Sequence, residues 1–265
     1  MVVNVSRVLF AFLIMASVHF LLFGAFLPLE AQPYRWWWLA LSGLLGLVVG
    51  DSGLFQAFVL IGPRLATLIM ALVPIFSTFL GWLVFSEVVT TVELAGIILT
   101  VGGVAWVVSE KRPGRSRVAD KQYTLGILFG LMGALGQASG LIAAKFGLVG
   151  DFPPASANVI RLLVATLVLW GVAALRGRLG YTVKQWQHKK ASSFILVGTL
   201  FGPVIGVWLS LTAIQLTRVG IAATLMALTP IILIPLSFLI FKERITLRSI
   251  AGTIAAVAGV ALIFL

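Results

Sequence analysis

Acidic side chains are scarce in this chain, and one of them stands inside an apolar run. The 265 residues include 8 Asp or Glu residues, 2 His residues and no cysteine. Asp51 falls within the apolar stretch from residue 37 to 59. A carboxylate buried in lipid costs about 2.5–3.5 kcal/mol on insertion scales, so it normally faces a cavity or a partner. Two hypotheses are open: Asp51 couples proton movement or binds a substrate amine, or its carboxyl stays protonated or bonds a neighbour such as Ser52.

Other polar or amphipathic side chains inside apolar runs are candidates to line a pathway. They are His19, Gln56, Gln137, Ser139 and Trp208. For each one alone, interhelical hydrogen bonding or interfacial packing is the favoured interpretation.

Two pairs of residues are candidates for moving parts. Arg7 and Arg161 lie near the ends of their apolar runs, as Lys145 does, where long basic side chains ordinarily reach the headgroups. The matching positions of Arg7 and Arg161, shown below, also make them candidates for a gate or entrance. Pro74 and Pro230 stand in the middle of apolar runs, where proline kinks a helix. Such a kink serves either as a hinge or as fixed shape.

Enzymatic chemistry has few residues to use here. The sequence has no cysteine nucleophile or thiolate, no HExxH pair, no second intramembrane Asp and no Walker A motif. We therefore predict no catalytic residue, no metal site and no cofactor.

The composition places the chain in a membrane. Hydrophobic residues make up 60% and charged residues 10% of the sequence, far from a soluble domain. Apolar runs of about 20 residues suit helices that cross a bilayer, and no period-two pattern suggests barrel strands. The predicted spans are 6–27, 37–59, 65–85, 92–109, 124–147, 157–176, 193–215, 221–241 and 248–265. Thr90 and Glu93 have the spacing of a capping box that opens the fourth.

The basic residues fit lipid and topology rather than nucleic acid. The formal charge is +11, but Lys and Arg cluster in short segments between apolar runs. The loops at 110–122 and 177–192 hold 9 of the 19 Lys and Arg residues. This predicts a multi-pass protein of the cell membrane in which both loops face the cytoplasm.

The chain is a tandem duplication. At a spacing of 156 residues, Met70, Ala71, Leu72, Pro74 and Ile75 match Met226, Ala227, Leu228, Pro230 and Ile231, and Gly46 and Gly50 match Gly202 and Gly206. At a spacing of 154, Asn4, Val5, Arg7, Leu9 and Ala11 match Asn158, Val159, Arg161, Leu163 and Ala165. Asp51 has Val207 as its counterpart, so any role of this acid is one-sided.

The repeats predict an all-α membrane protein of about nine transmembrane helices in two inverted repeats (4+5). The span at 124–147 opens the second copy, and its counterpart would precede residue 1. An ancestral unit of five helices, an odd number, inserts its two copies in opposite orientations. The predicted domains are a first repeat at 1–110, a basic linker at 111–122 and a second repeat at 123–265.

The motifs resemble the EamA-type domains of the drug/metabolite transporter superfamily. They run from Gly62-Pro63-Arg64 through Leu72-Val73-Pro74, Phe85-Ser86-Glu87 and Leu94-Ala95-Gly96, and return as Thr229-Pro230, Phe241-Lys242-Glu243 and Ala251-Gly252. The resemblance covers nearly the whole chain, with the first helix of the first repeat missing. It implies a transporter that exports amino acids, other metabolites or drugs.

The expected function is therefore a secondary transporter working by alternating access. The alternative is a non-transporting structural or assembly subunit, or an inactive truncated transporter. Expected partners are a small-molecule substrate, membrane lipid, protons as a candidate coupling ion, a second copy of the chain as a candidate, and no nucleic acid.

Overall fold

The computed structural model describes residues 2–108, 120–228 and 247–263, and in these ranges all regular structure is helical. Five helical stretches are long and apolar enough to span a bilayer: Val2–Phe23, Pro33–Pro63, Gln122–Leu148, Pro154–Leu175 and Lys189–Leu216. The all-α membrane fold is confirmed. The count of nine spans stays a prediction, because most of the predicted span at 221–241 lies outside the described residues.

The helices follow one another with short connections. They are α1 (Val2–Phe23), α2 (Pro33–Ser42), π1 (Gly43–Gly50, a π-helical segment), α3 (Asp51–Met70), α4 (Val73–Phe85), α5 (Thr91–Val108), α6 (Asp120–Leu148), α7 (Pro154–Leu175), α8 (Leu179–Gln185), α9 (Lys189–Thr199), π2 (Leu200–Gly206, also π-helical), α10 (Val207–Leu216), α11 (Val219–Met226) and α12 (Leu247–Ile263).

These elements form two compact units. The first unit contains residues 1–52 and 139–217, and the second contains residues 53–138 and 218–265. Each unit therefore takes helices from both sequence repeats. The repeat boundaries predicted from the sequence stay a prediction, since the compact units follow packing and not the order of the chain.

The second unit breaks its helices where the sequence carries Gly62 and Pro74. Gly62 has φ 80° and ψ 161°, a conformation that glycine adopts without strain, and it separates the long helix from residues 63–70. A second interruption follows at Ala71 and Leu72, so Pro74 lies in the first turn of α4. This corrects the prediction of one continuous span from 65 to 85 with Pro74 in its middle. Proline lacks the donor to bond Met70 and is tolerated in a first helical turn.

Two π-helical segments lie at equivalent positions of the repeats. At the 156-residue spacing, π1 corresponds to residues 199–206, which nearly coincides with π2. Each segment continues into α-helix on both sides. The π-helix is rare and is concentrated at functional sites, so a repeated pair marks a conserved feature of the two copies.

Equivalent helices run antiparallel within each unit. In the first unit, Trp170 Nε1 donates to the Val5 carbonyl at 3.1 Å and Thr166 Oγ1 to the Val8 carbonyl at 3.2 Å, so α7 descends as α1 ascends. In the second unit, Thr100 Oγ1 donates to the carbonyl of its own counterpart, Ala256, at 3.3 Å. There a Cβ on Gly103 would lie 2.6 Å from the Gly252 oxygen, so only glycine permits this approach of α5 and α12. Both pairs have the orientation that inverted repeats require.

The predicted capping box opens α5. The Thr90 N–H donates to Glu93 Oε2 at 2.8 Å, and the Glu93 N–H donates to Thr90 Oγ1 at 3.2 Å. This reciprocal pair satisfies two donors at the helix start, so the prediction is confirmed.

Candidate functional site

The first unit contains a cluster of polar side chains within its apolar helix core. Its core joins α1 to α7 through fully buried side chains such as Val5, Met15, Val159 and Leu162. On the same helices, Asn4 and Arg7 stand three residues apart, as do Asn158 and Arg161, so each pair shares one helix face. Three of these four polar residues are at most 3% exposed, and Arg7 is partly buried.

Arg7 pairs with Asp51. Arg7 Nη2 donates to Asp51 Oδ2, and the carboxylate residue is 5% exposed. The pairing departs from two expectations: Arg7 turns towards a carboxylate and not to the headgroups, and the partner of Asp51 is a guanidinium from α1. Because one unpaired buried charge is costly, each member supports the burial of the other. The sequence placed both residues in spans but could not pair them, since they lie 44 positions apart.

Asn4 and Asn158 each hold a π-helical segment. Asn4 Nδ2 donates to the Leu47 carbonyl at 3.4 Å and to Ser52 Oγ at 3.2 Å. Asn158 Nδ2 donates to the Pro203 carbonyl at 3.0 Å and to the Val204 carbonyl at 3.4 Å. Leu47 and Pro203 are themselves 156 residues apart, so the interaction is repeated in both copies. The amide supplies a donor to carbonyls in a segment of irregular backbone hydrogen bonding.

Arg161 is the least satisfied member of the cluster. It is 2% exposed, and its Nε and Nη1 atoms are buried with no hydrogen-bond partner in the described residues. Asp51 attracts it electrostatically. The expectation that Arg161 reaches the headgroups is therefore wrong for this structure, because the side chain stays inside the helix packing.

His19 belongs to a separate polar region of the first unit. Its Nε2 lies 2.9 Å from Ser156 Oγ, and its Nδ1 lies 2.5 Å from the Ala25 carbonyl oxygen, to which it donates. His19 and Ser156 line a cavity of about 560 Å³ together with the loop between α1 and α2, Arg35 and Phe152. His19 is thus joined to α7 and not to the Arg7–Asp51 pair.

The other predicted pathway residues lie on α3, α6 and α10. Gln56 is exposed on α3, and Gln137 is half-buried on α6, both in the second unit. Ser139 is half-buried on α6, and Trp208 packs against the core of the first unit. Their roles as substrate or coupling residues stay predictions.

Lys145, expected to reach the headgroups, and Arg218 both bind protein groups. Lys145 Nζ donates to the Thr217 carbonyl at 3.1 Å in the first unit. In the second unit Arg218 forms an ion pair with Glu93 and donates to the Val88 carbonyl. Glu87, which lies in the short connection between α4 and α5, accepts the Val219 N–H at 3.3 Å and so caps α11.

The hinge candidates are described in part. Pro74 follows the interruption at Ala71 and Leu72, whereas Pro230 lies outside the described residues. Asn4 and Asn158 were not predicted as site residues, although their repetition at a fixed spacing was the available signal. Ser156 was not predicted as the partner of His19 either.

Comparisons with known proteins agree with this architecture. The sequence model of the EamA-like transporter family matches residues 1–109 and 124–265. A solved structure titled only as a crystal structure of a protein is similar in fold, with a TM-score of 0.73 and 17% identity, over 99% of this chain and 87% of that chain. A comparison with curated proteins found no match. Because the family match covers both repeats and nearly every residue, the chain belongs to the EamA-like transporter family and is a multi-pass membrane transporter of the drug/metabolite type.

Proposed function

We propose that the protein is a secondary transporter that exports a small metabolite, amino acid or drug across the cytoplasmic membrane. The observation that carries the proposal is the Arg7–Asp51 ion pair, which lies inside two apolar helices of spanning length. Ionisable groups at such depth are expensive, and in membrane proteins they mark substrate, ion and proton pathways. The sequence contains no Walker A motif, so the proposed energy source is an ion gradient.

Alternating access is supported by the inverted arrangement of equivalent helices. Since α1 and α7 run antiparallel, exchanging the conformations of the two copies would turn an inward-facing state into an outward-facing one. The π-helical segments and the breaks at Gly62 and before Pro74 are the proposed places of bending, because their backbone hydrogen bonding is already interrupted.

Protons are the proposed coupling ion, and Asp51 is their proposed carrier. Protonation of Asp51 would remove its charge and release Arg7, so proton binding and a change in helix contacts would be one event. This mechanism needs a carboxyl that alternates between two states. An Asn at the same position keeps the shape but fixes the neutral state.

The test uses purified protein in proteoliposomes. A panel of labelled amino acids and other small metabolites is screened by counterflow, and the active solute is then driven by an imposed pH gradient. We expect Asp51→Asn to lose accumulation against the gradient while it retains downhill exchange. Asp151→Asn is the matched control. Asp151 is an exposed carboxylate in the loop before α7, with φ 57°, a conformation that Asn tolerates.

The outcomes separate the hypotheses. If Asp51→Asn accumulates solute with the same pH dependence as the parent, Asp51 is structural and the proton mechanism is wrong. If no solute class shows counterflow, the alternative of a structural or assembly subunit is favoured.

Orientation is tested separately, because export depends on it. The sequence is free of cysteine, so Lys189→Cys at the start of α9 and Asp151→Cys each provide one label site. We expect an impermeant thiol reagent to label Asp151→Cys in intact cells and to leave Lys189→Cys unlabelled. The reverse pattern would contradict a cytoplasmic 177–192 loop. The homodimer stays a prediction.

A further inference from the structure

The two repeated arginines of the first unit have different surroundings, and the difference points to a ligand. We propose that Arg161 binds an anionic group, a carboxylate or a phosphate, of the transported molecule. The inference rests on the proposed transport function, since a transporter alternates between states that expose a side chain buried in this one.

The guanidinium of Arg161 has buried donors that are not hydrogen-bonded to any described residue. Arg161 is 2% exposed, and Nε and Nη1 are buried without a partner, whereas its counterpart Arg7 donates to Asp51. Buried donors are ordinarily satisfied, and one that is not calls for an explanation such as a missing ligand. A guanidinium presents its N–H groups in a planar fork that matches the oxygens of a carboxylate or phosphate.

The charges of the cluster formed by Arg7, Arg161 and Asp51 do not balance. Arg7 and Arg161 bring two positive charges towards the single carboxylate of Asp51. At the position equivalent to Asp51, the second copy has Val207, which packs on the apolar core of the first unit. The cluster therefore carries one net positive charge inside helices of spanning length, and an anionic group would balance it.

The part of α7 that carries Arg161 is held by both π-helical segments. A Cβ on Gly43 would lie 2.5 Å from the Arg161 carbonyl oxygen, so π1 packs directly on the backbone of α7 at this residue. One turn earlier, Asn158 anchors α7 to π2. The backbone of Arg161 thus contacts π1, and the turn before it is bonded to π2, so a ligand bound by Arg161 would lie on a helix that packs on both segments.

The experiment measures anion binding without measuring transport. Thermal unfolding of the purified protein in detergent is followed in acetate, phosphate or chloride, against a bulky sulfonate salt at the same ionic strength. The variants are Arg161→Gln, Arg161→Lys and, as a control, Arg176→Gln. Arg176 is an exposed arginine at the end of the same helix.

We expect acetate or phosphate to raise the Tm of the parent and of Arg176→Gln by several degrees. In Arg161→Gln the anion Kd should rise about 10- to 100-fold, which is the loss of charge-assisted hydrogen bonds. Arg161→Lys keeps the charge but not the fork, so it should bind with intermediate affinity. It also answers the question if Arg161→Gln fails to fold. Which of acetate and phosphate acts more strongly identifies the chemical group.

Three results would overturn the proposal: no anion effect on the parent, an equal effect in Arg161→Gln, or an effect of chloride alone. A parent that shows no anion effect but still catalyses counterflow refutes the anion site and leaves the transport function standing.

Discussion

Equivalent halves of the first unit share a scaffold and differ in charge. Asn4 and Asn158 donate to carbonyls of π1 and π2 at matching positions, so this part of the ancestral packing is retained in both copies. Arg7 has Asp51 of its own copy as a partner, whereas the copy that contains Arg161 has Val207 at the position equivalent to Asp51. Duplication therefore supplies the repeated helix arrangement, and a single substitution makes the polar cluster one-sided.

The largest expected effect comes from breaking the half that is paired. Arg7→Met keeps much of the side-chain volume but leaves Asp51 with no guanidinium from α1. Removal of one partner of a buried ion pair costs about 3–5 kcal/mol in unfolding free energy, because the remaining charge loses its hydrogen-bonded partner. Denaturant unfolding in mixed micelles measures the loss.

A double variant provides the control for this loss. Arg7→Met with Asp51→Leu removes both charges of the pair but leaves Arg161, so we expect it to lose less stability than the two single variants together, with a coupling energy of about 0.5–3 kcal/mol. A coupling energy near zero would contradict the ion pair as the cause.

The sequence predicted the scaffold better than the pairing. Repetition at a fixed spacing identified the equivalent helices, and the odd ancestral number predicted their opposite orientation, which α1 and α7 show through Trp170 and Thr166. The capping box was predictable because Thr90 and Glu93 are neighbours in sequence. Local rules need only local residues.

Contacts between distant residues were not predictable in the same way. Hydropathy gives the depth of Arg7, Lys145 and Arg161 in the membrane but not the rotation of each helix about its axis. The prediction that these three side chains reach the headgroups was therefore wrong. Arg7 and Lys145 bind protein groups, and Arg161 stays buried. The π-helical segments also escaped detection, because Gly46, Gly50, Gly202 and Gly206 favour close packing without specifying an i→i+5 hydrogen bond.

The second prediction compares the shared scaffold in the two copies. Asn158→Leu removes two hydrogen bonds to π2 carbonyls, and Asn4→Leu removes one to π1 and one to Ser52. Leaving buried carbonyls unpaired costs about 1–3 kcal/mol. We expect Asn158→Leu to cost more than Asn4→Leu, since both of its acceptors are backbone groups and its shorter bond is 3.0 Å.

The measurement is again unfolding in micelles, with Asn158→Asp and Asn4→Asp as near-isosteric variants that lack the donor. If both leucine variants unfold like the parent, the amides do not hold the π-helical segments. A larger loss at Asn4 would reverse the order that the hydrogen bonds predict.

The smallest expected effect makes the halves alike. Val207→Asp places a carboxylate at the position equivalent to Asp51, where Arg161 is the guanidinium of the same copy. The new pair would satisfy buried donors, but the added carboxylate must also leave water, so we expect a net gain of about 1 kcal/mol. Val207→Asn supplies a similar shape without charge and should give no gain. Combined with Arg161→Gln, Val207→Asp should instead destabilise the protein, because the acid then lacks its partner. The decisive quantity is the coupling energy from this double-mutant cycle, expected at about 0.5–3 kcal/mol. A coupling near zero would mean that Val207 does not face Arg161, and that the two halves differ in geometry as well as in charge.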